Sequence, residues 1–76
     1  MNWHDYIVAE SSVLTGKPVI RGTRLSVEFI LNLLAEGWSD EEVRRNYPGL
    51  KQEHIRACLA YARDLLGEER VFPVPH

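Results

Sequence analysis

A chain of 76 residues whose only cysteine is Cys58 has room for one hydrophobic core and cannot staple it with an intrachain disulfide. At this size folding buries only about 60% of the surface that the unfolded chain exposes, and the core alone rarely supplies more than about 3–5 kcal/mol. Small domains make up the difference with a disulfide, a metal or a further polypeptide, so a homodimer or higher oligomer is the expected supplement.

Composition excludes several classes. With 45% hydrophobic and 26% charged residues, the chain is too apolar to stay disordered. Its longest unbroken apolar run, Cys58 to Ala62, is far short of the roughly 18 residues that indicate a membrane span, so no membrane is expected as a partner. The opening Met1-Asn2-Trp3-His4-Asp5 lacks the basic-then-apolar order of a signal peptide, and together with the free thiol this predicts a cytoplasmic protein. Nine basic against eleven acidic residues give a net charge of −2, which excludes a bulk positive field. Nucleic-acid binding would therefore need a local patch.

Three segments differ in their punctuation. Residues 1–25 read as an N-terminal arm of short strands: Tyr6-Ile7-Val8 is β-prone, Pro18-Val19-Ile20 is extended, and two glycines with a proline between Gly16 and Gly22 exclude a helix. Residues 26–66 read as a three-helix core. Val27, Ile30, Leu31 and Leu34 recur at helical spacing after Ser26 as N-cap and before Gly37 as stop. Phe29 and Leu33 widen this apolar arc beyond one core stripe, which marks either a central helix touched on several sides by its own arm or a pair of candidate partner-binding residues.

Ser39-Asp40-Glu41-Glu42 is a capping-box sequence opening a short second helix that Pro48-Gly49 ends. The third helix is expected from about Lys51 to Leu66, with Ile55, Cys58, Leu59, Ala62, Leu65 and Leu66 inward and Gly67 as its stop. Residues 67–76 are expected as an extended tail, in which Val71 and Phe72 beside Pro73 and Pro75 either dock in a protein groove or belong to a frayed end or a strap on the chain's own helices. A short middle helix and a tight turn before the last helix make the core a helix-turn-helix candidate.

If the third helix reads DNA, its outward polar side chains should carry the contacts. Gln52, Arg56 and Arg63 share one flank, and Lys51, Gln52 and Arg56 lie near the helix start, where such proteins meet base edges. Arg21 and Arg24 bracket Gly22-Thr23 in a turn that suits a phosphate or carboxylate. Other chemistries fail on spacing. Gly16-Lys17 lacks the upstream glycine and following hydroxyl of a phosphate loop, since Ser11 and Pro18 stand there. His54 and Cys58 have the spacing of two metal ligands, but two ligands are not a site and Cys58 belongs to the core stripe. No catalytic set, metal or cofactor is expected.

The run Thr15-Gly16-Lys17-Pro18-Val19-Ile20-Arg21-Gly22-Thr23-Arg24-Leu25-Ser26-Val27, followed by Glu36-Gly37-Trp38-Ser39-Asp40-Glu41-Glu42 and Tyr47-Pro48-Gly49-Leu50, resembles a small prokaryotic family known as domain of unknown function 433. The likeness extends to about Ala62. It implies a mainly α, homeodomain-like or winged-helix-like three-helix domain, and a role as antitoxin in a type II toxin-antitoxin pair. The partner it implies is a toxin resembling the PIN-domain ribonucleases, and the likeness brings no catalytic residues; the helix-turn-helix reading adds operator DNA, with a pure protein-interaction module whose helix-turn-helix is architectural as the alternative. Where the family often caps its last helix with serine or threonine, this chain has Lys51, which predicts a poorly capped start suited to a phosphate or an acidic partner.

Overall fold

The computed structural model describes residues 1–9 and 16–67. A single 3-10 turn, Trp3–Asp5, precedes strand β1 (Ile7–Val8); strand β2 (Val19–Ile20) and helices α1 (Val27–Ala35), α2 (Asp40–Asn46) and α3 (Gln52–Gly67) follow. The fold is mainly helical with a small antiparallel sheet, in which Ile7 pairs with Ile20 and Val8 with Val19.

Strand β2 is held on both edges. The Arg21 N–H donates to the Tyr6 carbonyl at 2.8 Å on one side, while on the other Ile20 N–H donates to Leu25 O at 2.9 Å and Val27 N–H to Pro18 O at 3.0 Å. The strand is thus tied to the first turn of α1, and Val19 and Ile20 are both buried. Gly22 supplies the reversal with φ +81°, a left-handed conformation that side chains with a Cβ resist. Thr23 fixes the turn from both ends: its hydroxyl donates to Ile20 O at 2.8 Å and accepts from Leu25 N–H at 3.0 Å.

Each helix end has a local cause. The Ser26 hydroxyl accepts from Phe29 N–H at 3.0 Å and opens α1. Gly37, at φ +100°, closes it in a Schellman arrangement, its N–H donating to Leu34 O at 3.0 Å and that of Trp38 to Leu33 O at 3.1 Å. The capping box at α2 is complete, with Glu42 N–H on Ser39 Oγ at 3.1 Å and Ser39 N–H on Glu42 Oε2 at 3.3 Å.

Helix α3 differs from expectation at its start. Lys51 offers no side-chain cap, but its own N–H donates to His54 Nδ1 at 2.9 Å, so a histidine does what glutamate does in the usual box. The Tyr6 ring meets His54 edge-on, with centroids 5.7 Å apart.

The core joins Ile7 and Ile20 of the sheet to Val27, Ile30 and Leu33 of α1, Val43 of α2, Leu50 of the connecting turn, and Ile55, Ala57 and Cys58 of α3. Two helical faces are turned from their expected phase. In α1 the buried set is Val27, Ile30 and Leu33, whereas Leu31 and Leu34 are only half-buried, because both α2 and α3 pack on this helix. In α3 the buried set is Ile55, Ala57, Cys58 and Ala60, while Leu59, Leu65 and Leu66 are 50%, 52% and 58% exposed. The inner face of α3 is therefore rotated by roughly one residue step, about 100°.

The cause of that rotation is the N-terminal turn. Trp3 Nε1 donates to Asp64 Oδ2 at 2.8 Å, and its indole meets the Tyr61 ring edge-on at 4.8 Å. With the arm occupying this flank, the small side chains Ala57 and Ala60 face inward and the leucines turn out.

Candidate nucleic-acid interface

The outer face of α3 is a single stripe. Gln52, Arg56, Leu59, Arg63 and Leu66 follow one another at alternating steps of four and three residues, and all are exposed. The N-terminal end of α3, with Lys51 just before it, contributes Lys51, Gln52 and Arg56, which make no ion pair among the described residues. Arg63, two turns farther on, has its Nε on Asp64 Oδ1 at 3.1 Å. The Trp3 indole N–H and the Arg63 guanidinium hold the exposed Asp64 carboxyl below the usual carboxylate range.

The candidate residues of the arm are not equivalent. Arg21 spends its guanidinium on the 3-10 turn, Nε reaching Asp5 O at 3.3 Å and Nη2 reaching His4 O at 3.4 Å, so it serves as a backbone clasp. Arg24 is exposed and makes no side-chain hydrogen bond among the described residues. Lys17 pairs with Glu28 at 3.4 Å, tying the approach to β2 onto α1. On α2, Arg44 is bonded to Asp40, whereas Arg45 is exposed.

Two of the residues expected to meet a partner turn inward. Leu33 is 7% exposed within the core, and Phe29 is half-buried with its ring edge-on to Tyr47 at 5.5 Å. The wide apolar arc of α1 is consumed by its own neighbours. Val71 and Phe72 lie outside the described residues.

Sequence reasoning missed the apolar members of the α3 stripe. Met1, Arg56, Leu59, Ala60 and Arg63 line an open groove of about 400 Å³, and Met1 is 57% exposed. The signal was present in Ala57 and Ala60, two small residues whose burial leaves no inward place for Leu59.

Burial pushes the Cys58 thiol up to about 12, which keeps it protonated and unreactive. No group of three or more His, Cys, Asp or Glu among the described residues is placed to hold a metal. No helix among the described residues is long and apolar enough to cross a membrane.

A family described as protein of unknown function (DUF433) matches residues 7–62, a span that takes in the β2 clamp, all of α1 and α2 and most of α3. The chain belongs to the DUF433 family. It is also 36% identical over 70 residues to the uncharacterized protein y4eO of Sinorhizobium fredii (strain NBRC 101917 / NGR234), a match covering 90% of this chain and 32% of that protein. The chain thus spans about a third of the length of this curated relative. No solved structure matches it. In this DUF433 chain Gly22 and Thr23, inside the matched span, build the turn after β2.

Proposed function

We propose that this DUF433 chain is a non-enzymatic, antitoxin-like binding module: α2, the turn and α3 act as a helix-turn-helix on operator DNA, and a second surface engages a PIN-like ribonuclease toxin. The observation that carries the DNA reading is the N-terminal end of α3, where Lys51, Gln52 and Arg56 stand exposed after a seven-residue helix and a tight turn. Arginine and glutamine present the donors that base edges accept, and lysine suits a phosphate. Arg45 on α2 and Arg24 on the arm supply further uncommitted cations among the described residues. Arg21 leaves this set because it holds the arm together. Self-association belongs to the same proposal, supported by the small core.

Gel-shift titration of the chain against its own upstream DNA at two salt concentrations tests the reading. Lys51→Ala is expected to weaken binding about equally across sequences and to lower the salt dependence by about one phosphate contact. Absence of any shift at low salt would sink the DNA reading and leave a pure protein-interaction module whose helix-turn-helix is architectural. One observation favours that second reading: Leu59 and Met1 expose apolar surface on the very stripe that would face DNA.

A further inference from the structure

The geometry points to the groove between Met1 and the middle of α3 as a docking site for an acidic amphipathic segment of a protein partner, with Arg56 and Arg63 as its two carboxylate anchors. This deepens the proposed function by naming the surface and the partner's chemistry, and it rests only on the part of that reading in which the chain binds a protein.

Three features of the groove carry the assignment. Its floor is apolar, formed by Met1, Leu59 and Ala60, with Met1 and Leu59 at least half exposed. Both of its charged lining residues are arginines, and no acidic side chain among the described residues lines it. The two arginines are seven residues apart on one helix, which separates them by about 10 Å along the axis and places Leu59 between them. Phosphates along a duplex would meet the guanidiniums but leave the apolar floor against water and sugar. A partner helix with two carboxylates at matching spacing and an aliphatic side chain between them satisfies both features at once.

The groove is also held in shape. Asp64 accepts from the Trp3 indole on one oxygen and from Arg63 Nε on the other, fixing the N-terminal turn and aligning the guanidinium from its inner edge. Among the described residues the terminal nitrogens of Arg63 make no hydrogen bond, so they stay available for a partner's carboxylate. Arg56 makes no ion pair among the described residues.

Titration of the isotope-labelled full chain, followed by NMR, tests this with a defined probe: a synthetic helical peptide carrying two glutamates seven residues apart and a leucine between them. Saturable shifts at Met1, Leu59 and Arg63 are expected, with affinity lower by about tenfold or more when lysines replace the glutamates. Leu59→Asp should abolish these shifts with an unchanged thermal midpoint, since the side chain is exposed. Equal binding of the lysine peptide, persistence in Leu59→Asp, or no saturable shift overturns the assignment. A mixed-sequence DNA duplex forms the second arm. Shifts confined to Lys51 and Gln52 leave the docking site separate from the DNA contact, whereas a duplex that moves Met1, Arg56 and Leu59 as strongly assigns the whole stripe to nucleic acid and also overturns it. Loss of duplex binding alone removes the DNA reading without touching the peptide result.

Discussion

Gly22 and Cys58 show how two single residues carry conformational and chemical constraints that their neighbours then use. At Gly22 nothing lies within 4 Å of where a Cβ would stand, so the constraint is the backbone φ of +81° and not crowding. Gly22→Ala is therefore expected to destabilise by about 1–2 kcal/mol, lowering the thermal midpoint by about 4–8 °C per kcal/mol in a domain of this size. A melt that does not move would mean that the turn tolerates a different geometry. Cys58, fully buried on α3, has its thiol raised by burial from 9.0 to about 12. Between these values the unfolded chain releases a proton that the folded chain keeps, so stability should fall as pH rises from about 9 toward 12. At neutral pH the thiol should resist iodoacetamide until denaturant unfolds the chain. Rapid alkylation of the native protein would contradict the buried placement.

The elements divide into those whose cause is local and those whose cause is distant. Ser26, Gly37 and the Ser39–Glu42 box determine helix ends through bonds spanning three to five residues, so the bounds of α1 and α2 were legible in the sequence. The rotational phase of α3 was not. It depends on Trp3 reaching Asp64, 61 residues away, and on Tyr6 meeting His54, contacts that no helical wheel contains. For the same reason the candidate site is half legible: Gln52, Arg56 and Arg63 lie on the outer face as their spacing indicates, whereas the spacing places Leu59 in the core and leaves Leu33 open between core and partner contact. His54 ties the two levels together, because it caps α3 and receives the Tyr6 edge. His54→Ala leaves the Lys51 N–H without its partner and should cost about 0.5–1.5 kcal/mol. His54→Gln, which keeps an acceptor at the capping-box position, should recover much of that loss. Equal melts for both variants would show that ring packing on Tyr6, not the cap, is what His54 contributes.

For the whole molecule the decisive quantity is how little apolar surface a 76-residue chain can enclose. The small sheet, α1 and the inner side of α3 bury aliphatic residues such as Ile20, Ile30 and Ile55, yet Met1, Leu59, Leu65 and Leu66 remain at least half exposed. A second copy and a different protein are both able to cover such residues, and they leave different thermodynamic signatures. Self-association couples folding to protein concentration, because dilution favours the unfolded monomer by mass action. The proposed oligomer thus predicts a thermal midpoint that climbs as the chain is concentrated, matched by a larger mass in sedimentation. A midpoint independent of concentration, with a monomer mass throughout, would remove self-association from the proposal. In that case added acidic peptide, by binding only the folded chain, should still raise the midpoint in proportion to the logarithm of its concentration above its dissociation constant.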